Sequence, residues 1–125
     1  MIAYENDRRT RAEQTVLASL LQNAAMIRHC PQLTPRDFAH DLHGLIFLTI
    51  KKLIDNGETV CAQSVFCELA KTHMRSFYSS GLSYMLSLQD KRVLPSHVGY
   101  YAAVMLDNVS NPRDSYEPAP DKWTA

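Results

Sequence analysis

The stretch AEQTVLASLLQ, residues 12–22, decides the fold class of this chain. Apolar side chains recur in it at the spacing of an α-helix, which places the large aliphatic residues on one face. Glu13 falls in the first turn, where a carboxylate suits the positive end of the helix dipole. The residues of the apolar face are Val16, Leu17, Leu20 and Leu21. The stretch therefore predicts an amphipathic helix.

The helical period continues downstream of this first helix. A short helix is predicted over residues 24–28, followed by a long one over residues 34–55. Thr34 is a good N-cap for the long helix, and Pro35 fits its first helical position, where proline loses no hydrogen bond. An Asn-Gly pair directly after residue 55 ends this helix, because glycine readily adopts the conformation that closes a helix.

Three further helices are predicted over residues 62–71, residues 82–90 and from Ser96 to an Asn-Pro stop at residues 111–112. A Ser-Ser-Gly break precedes the second of them. The glycine, proline and β-branched clusters that are typical of β-hairpins are absent. The predicted fold class is therefore all-α, a small helical bundle.

The domain organisation follows from the same pattern. Residues 1–11 are expected to form a polar, flexible amino end, and residues 12–110 to form the helical domain. Residues 111–125 hold three prolines and no periodicity, so an extended tail is expected there.

Composition excludes several classes of protein. The 125 residues suffice for one domain, and the shares of 46% hydrophobic and 21% charged residues are typical of a globular protein. The formal net charge is zero, whereas a protein that coats nucleic acid would show a basic excess. No apolar run approaches the length of a membrane span, and no secretory leader precedes the three cysteines. The cytoplasm is therefore the expected compartment.

The segment DFAHDLHGLIF, residues 37–47, contains the one candidate for a metal or acid–base site. Asp37, His40 and His43 are spaced three residues apart in it. On a continuous helix this spacing turns each side chain by about 60° from the last, so the three fan apart. A metal held by both histidines would need ligands from elsewhere in the chain. We therefore expect His43 to pack at the edge of the apolar face and the other two to lie in solvent.

No other pattern predicts catalysis or a cofactor. Cys61, Cys67 and His73 stand six residues apart, which matches no zinc spacing, and no adjacent base is evident that would activate Cys67. Buried or half-buried small side chains are the preferred interpretation of the cysteines, Cys30 included. The chain has neither a phosphate-binding glycine loop nor the serine-elbow or zinc-protease motifs. It is therefore predicted to be no enzyme and to use no metal or cofactor.

The last two helices are rich in aromatic and methionine side chains, which are favoured where proteins meet. Filling of the domain core is the competing interpretation. A surface for partners is preferred because a small helical domain has only one interior to fill. The predicted interaction residues are Tyr84, Met85, Leu88, Tyr100, Tyr101, Val104, Met105 and Val109.

Three arginines near the amino end, Arg8, Arg9 and Arg11, are the candidates for contact with nucleic acid. Three charges make only a weak footprint on a phosphate backbone. A solvated, frayed amino end is the preferred interpretation of this segment.

Six short motifs stand in order along the chain: AEQTVLASLL, LTPRDF, HGLIF, NGETVCAQSVFCEL, GLSYMLSL and SHVGYYAAVM. Their order and spacing resemble the amino-terminal domain of bacterial replicative DNA helicases of the DnaB type. Ala18, Cys61 and Ser80 depart from the pattern of that domain, which usually has glycine, aspartate and glycine there. The matching positions are Ala12, Glu13, Gln14, Val16, Leu17, Asp37, Phe38, His43, Ile46, Phe47, Gly57, Gly81, Tyr84, Met85, Leu88, Tyr101, Ala102 and Val104 or Met105.

The resemblance implies an all-helical, non-catalytic domain with a C-terminal helical hairpin, here residues 82–89 and 98–109. In the helicases such hairpins pair into dimers, which build a collar on the hexamer, and primase and loader proteins dock on or near that collar. By resemblance, the expected partner of this chain is a replicative DNA helicase or primase, and a homodimer is expected. The nucleotide-binding half of the helicases does not occur in these 125 residues, so helicase activity is not carried over.

Two functions remain open from the sequence. In the first, the chain is an interaction protein of a phage, plasmid or integrated element that modulates helicase assembly, loading or priming. In the second, it is a self-associating structural or regulatory protein that contacts nucleic acid weakly through its arginine-rich amino end. In a third interpretation the chain is a fragment of a whole helicase. The tail EPAPDKWTA, with Trp123, is expected to be a natural terminus, which argues against this interpretation.

Overall fold

Within residues 8–72 and 77–110 the chain forms five α-helices and three 3-10 turns. The structure is a computed structural model that describes residues 8–72 and 77–110, with only the backbone for residues 72, 77–80 and 107–110. No strand occurs within these ranges, so the predicted all-α class is confirmed. The helices are α1 (Arg8–Gln22), α2 (Asp41–Asp55), α3 (Ala62–Thr72), α4 (Phe77–Gln89) and α5 (Val98–Ser110). The 3-10 turns are Ala24–His29, Pro35–Asp37 and Pro95–His97.

Helix α1 is the centre of the bundle and contacts α2, α4 and α5. Ten of its fifteen residues are buried, and the predicted apolar face is confirmed. The small hydroxyls on its other side are buried with partners: Thr15 Oγ1 donates to the carbonyl of Arg11 at 2.8 Å, and Ser19 Oγ donates to that of Thr15 at 2.8 Å. A helix buried nearly all round is typical of a core position. Helices α2, α4 and α5 therefore pack around α1.

Helix α1 begins at Arg8, whereas residues 8–11 were assigned to a flexible amino end. The first turn is attached to the body of the domain, because Thr10 Oγ1 lies 2.8 Å from Nε2 of His40. Arg9 Nη2 also donates to the carbonyl of Asp37 at 3.3 Å. The remainder of the predicted amino end, residues 1–7, and the predicted tail with Trp123 lie outside the described residues.

Helix α2 begins later than the sequence predicted. The predicted start at Thr34 is instead a single 3-10 turn, in which the carboxylate of Asp37 turns back and accepts hydrogen bonds from the backbone amide of Thr34 at 2.8 Å and from its hydroxyl at 3.2 Å. The chain is extended at Phe38, with φ −87° and ψ 129°, and α2 starts at Asp41. The predicted helix over residues 34–55 was therefore too long at its amino end.

The other end of α2 agrees with the prediction. Gly57 has φ +72°, the left-handed conformation that glycine adopts without steric cost. The amide of Glu58 donates to the carbonyl of Leu53 at 2.9 Å, which satisfies a carbonyl of the last helical turn.

Helices α4 and α5 differ in two respects from the predicted pair. Helix α4 begins at Phe77, so the Ser-Ser-Gly stretch lies inside the helix and does not break it. Both helices pack on α1 more extensively than on each other within the described ranges, and α4 also packs on α3. Gln89 Oε1 accepts a hydrogen bond from the amide of Ala62 at 2.6 Å, which connects the end of α4 to the start of α3. The two arms of the predicted hairpin thus follow one another in sequence but are held together through α1.

One apolar core connects all five helices. Phe38 and Phe47 contribute a tilted aromatic pair with ring centroids 5.1 Å apart. None of the described helices combines the length and the apolar character needed to cross a membrane. The largest fully buried apolar side chains are Phe47, Leu17, Leu20, Leu33, Ile46, Ile50, Leu69, Met85 and Met105.

Candidate functional site: a buried polar network and an exposed groove

The carboxylate of Glu13 is buried in the core and binds three groups. Its Oε1 lies 2.8 Å from Nδ1 of His43, and its Oε2 accepts a hydrogen bond from the amide of Ala39 at 2.6 Å. Arg9 Nε lies 3.4 Å from the same Oε2. A buried carboxylate is costly unless it is paired and hydrogen-bonded, and this one is both. Glu13 thus joins α1 to the start of α2.

The hydroxyl of Tyr84 continues the network from α2 to α4. It is hydrogen-bonded to Nε2 of His43 and accepts a hydrogen bond from Gln14 Nε2 at 3.1 Å. The rings of His43 and Tyr84 stack at 5.9 Å with an interplanar angle of 11°. With Nδ1–H donating to the carboxylate, Nε2 accepts the hydroxyl proton of tyrosine, so the contacts fit a neutral imidazole.

Burial also favours the neutral form of His43. The ring is 0% exposed, and desolvation lowers the pKa of His43 below the 6.5 of an ordinary histidine, although the hydrogen bond and charge of Glu13 oppose the shift. His40, whose ring centroid lies 5.2 Å away edge to face, contributes in the lowering direction. At neutral pH the imidazole of His43 is therefore uncharged.

The order carboxylate, imidazole, hydroxyl is also that of a hydrolase triad, with tyrosine in the place of the nucleophilic serine. Here Glu13 and His43 are 0% exposed and Tyr84 is 7% exposed. A substrate has no access to a hydroxyl enclosed in this way. The network instead braces three helices, which a fully satisfied buried polar cluster does by fixing their relative positions.

The sequence-based interpretation of residues 37–47 was wrong for His43. The predicted position was the edge of an apolar face, but His43 is 0% exposed and lies within the buried face of α2. Asp37 caps Thr34, and His40 lies beside Thr10, so both are half-buried at the surface of the domain. Within the described ranges no three His, Cys, Asp or Glu side chains form a group that could hold a metal ion.

Most of the predicted interaction residues lie in the core. Five of them are at most 7% exposed, because they face α1 and complete the single interior: Tyr84, Met85, Leu88, Val104 and Met105. Their assignment to a partner surface is therefore corrected in favour of core filling. Tyr100 is 52% exposed and its ring contacts that of half-buried Tyr101 at 5.1 Å. The side chain of Val109 lies outside the described residues.

The exposed groove lies between α1 and the connection from α4 to α5, and its volume is about 1020 Å³. Residues of the connection, Lys91, Arg92 and Leu94, form one wall, and Arg11 of α1 and Tyr101 of α5 also line it. Among these, Leu94 is 62% exposed, the highest value of the exposed large apolar side chains. The groove thus combines basic, aromatic and aliphatic groups at one surface.

The connection that forms the groove is fixed to α1 by one side chain. Gln22 Nε2 donates to the carbonyls of Gln89 at 3.0 Å and Lys91 at 2.7 Å. The turn at the end of α4 is closed by the amides of Asp90 and Lys91, which donate to Leu86 and Leu88. These hydrogen bonds hold the connection against the end of α1. No sequence motif indicated it, since its residues are scattered over three segments.

The three arginines proposed to contact nucleic acid do not act as one patch. Arg9 is engaged with Glu13 and the carbonyl of Asp37, and Arg11 lines the groove. All three side chains are half-buried along the first turn of α1. This arrangement gives no specific support to nucleic-acid contact through the amino end.

The cysteines occupy three different environments. Cys30 is buried, and burial raises the pKa of its thiol to about 11. Cys61 precedes α3, where hydrogen bonds from the amide and hydroxyl of Ser64 lower the pKa of its thiol. Cys67 is exposed on α3. The preferred interpretation of the cysteines as buried or half-buried therefore holds for two of them and is wrong for Cys67.

Comparison with known proteins identifies the family of this chain. The family model described as the DnaB-like helicase N terminal domain matches residues 5–107. The replicative DNA helicase DnaB of Geobacillus stearothermophilus is 34% identical over 95 residues, which make up 75% of this chain but only 21% of that protein. The crystal structure of the N-terminal domain of DnaB helicase from Mycobacterium tuberculosis matches with a TM-score of 0.73 and 27% identity, covering 83% of this chain and 75% of that one.

Proposed function

Because this chain belongs to the family of DnaB-like helicase N-terminal domains, we propose that it is a non-catalytic interaction module of DNA replication. It binds a replicative helicase or primase and modulates helicase assembly, loading or priming. It acts in the bacterial cytoplasm, where these partners work, and it forms a homodimer. The chain spans about a fifth of the curated relative that it matches, so the partners of the whole relative enter only through this proposal.

The observation that carries the proposal is the exposed apolar surface at the junction of α4 and α5. Leu94 is 62% exposed and lines the groove with Tyr101, whose ring contacts that of Tyr100, which is 52% exposed. Tyrosine and arginine side chains are enriched in protein interfaces and among their hot spots. The polar network that resembles a catalytic triad is sealed, which favours binding over catalysis as the role of this domain.

The test is size-exclusion chromatography with light scattering, on the chain alone and mixed with a DnaB-type replicative helicase or with its primase. We expect a dimer alone and a shared peak with one of the two partners, whose mass shows whether the helicase hexamer persists. Separate peaks with both partners would contradict the proposed function.

A pair of matched variants locates the contact. Tyr100→Glu places a charge in the exposed surface and should abolish the shared peak, whereas Leu48→Glu, at a similarly exposed leucine of α2, should retain it. Circular dichroism should show equal helicity in both variants. Met105 is unsuitable for such a test, because it is 0% exposed and a glutamate there would disrupt the core.

A further inference from the structure

We propose that the groove between α1 and the connection from α4 to α5 binds an acidic segment of a partner protein that also carries bulky apolar side chains. This inference rests on the proposed function, because it names the chemistry by which the partner is recognised. It assigns the contact to Lys91, Arg92 and Leu94, with Arg11 and Tyr101 beside them.

The charge of the groove is the first argument for an acidic ligand. The whole chain has 13 basic and 13 acidic residues and no net charge. Among the described residues that line the groove, three are basic (Arg11, Lys91 and Arg92) and one is acidic (Asp90), which gives them a formal charge of 3 − 1 = +2 with histidine counted as neutral. A local positive field on a neutral protein favours an acidic ligand and excludes a basic one.

Apolar surface is the second step. Leu94 is 62% exposed, and Val93 and Tyr101 line the groove beside it. A fully polar acidic ligand would leave this surface in water, whereas an apolar side chain of the ligand would bury it, which favours binding. The volume of about 1020 Å³ is sufficient for several side chains of a peptide.

The same groove is poorly suited to single-stranded nucleic acid. Such grooves carry a basic track along the backbone and several aromatic side chains on which successive bases stack. Among the described residues that line this groove, Tyr101 is the one aromatic side chain, Asp90 interrupts the basic groups, and the wall is aliphatic at Val93 and Leu94. A peptide segment is therefore the occupant that these residues favour.

Fluorescence anisotropy with defined probes tests the proposal on the full chain. The main probe is a short labelled peptide in which glutamate and aspartate accompany leucines at helical spacing. Three comparison probes are the same peptide with lysine for each acid, the same peptide with serine for each leucine, and single-stranded oligothymidylate. We expect binding of the first probe alone, weakened by salt. Tighter binding of the oligothymidylate, or equal binding of the basic peptide, would overturn the proposal.

Two matched pairs of variants locate the site. Arg92→Glu should weaken binding of the acidic peptide about tenfold, while Lys71→Glu, an exposed charge reversal on α3, should leave it unchanged. Leu94→Ser should also weaken it about tenfold, and Leu48→Ser should not. Equal effects within either pair would overturn the assignment of the groove.

The outcome is distinguishable from that of the proposed function. If the helicase or primase complex forms and persists in Arg92→Glu and Leu94→Ser, the proposed function stands and the groove is not its contact. If the peptide binds in the groove while neither partner protein forms a complex, the groove stands and the proposed function fails.

Discussion

Replacement of Tyr84 by phenylalanine tests whether the buried polar network stabilises the fold. The change keeps the aromatic ring, which is 7% exposed, and its stacking on His43. It removes only the hydroxyl that is hydrogen-bonded to His43 Nε2 and that accepts from Gln14 Nε2. The difference in stability between the two proteins therefore measures the hydroxyl alone.

The expected loss arises mainly at His43. Its ring is fully buried, so water does not replace the donor that Nε2 loses, and such a loss costs about 1–3 kcal/mol. Gln14 is half-buried and can turn its amide toward solvent, so its lost hydrogen bond adds only about 0.5 kcal/mol. We expect a decrease of about 1.5–3.5 kcal/mol in the free energy of unfolding. For a domain of this size that corresponds to a Tm lower by about 5–12 °C.

Urea unfolding followed by circular dichroism measures this decrease. Tyr100→Phe is the matched control, because Tyr100 is 52% exposed and loss of its hydroxyl should change stability by less than about 0.5 kcal/mol. The dependence of stability on urea should be the same in all three proteins. A Tyr84→Phe variant as stable as the control would refute the reasoning that the network holds the three helices together.

Three other expectations follow from the structure. Since burial lowers the pKa of His43, the unfolded chain binds the proton first, and the free energy of unfolding should fall as pH drops below about 6.5. The free energy of unfolding, measured by urea titration between about pH 7.5 and 5.5, should change less with pH in His43→Gln than in the wild type. An equal pH dependence in the two proteins would contradict the assignment. Gly44→Ala should lower stability by about 1–3 kcal/mol in thermal unfolding, because the new Cβ would lie 2.7 Å from the carbonyl oxygen of Pro35; a variant as stable as the wild type would disprove this. At neutral pH, Ellman's reagent should modify Cys61 at least about tenfold faster than Cys30, as followed by peptide mass mapping, and comparable rates would be inconsistent with the two environments.

Local features of this fold could be predicted from the sequence because neighbouring residues determine them. The apolar period of residues 12–22 gave α1 its buried face, and Asn56 with Gly57 ended α2 as expected. The start of α2 was missed because the capped turn at Pro35–Asp37 is followed by an extended residue, Phe38, and the helix starts only at Asp41. A cap of this kind has the same sequence whether the helix continues or stops after it.

Long-range contacts could not be predicted in the same way. Glu13 was assigned to the helix dipole, which is a local explanation, but its main partner His43 lies 30 residues further along the chain. Tyr100 and Met105 belong to similar classes of side chain on one helix, yet one is 52% and the other 0% exposed. Only the position of α5 on α1 separates them. The groove depends likewise on three segments that meet only in the folded domain.

Glu13, His43 and Tyr84 also set a condition on how this sequence can change over generations. Each satisfies polar atoms of the next, so loss of one leaves buried groups of the others poorly paired, whereas apolar replacement of a whole buried cluster is often tolerated. Substitutions at the three positions are therefore expected to occur together. Homologous sequences should retain all three residues or replace all three. A sequence with only one or two of them replaced should have a less stable domain.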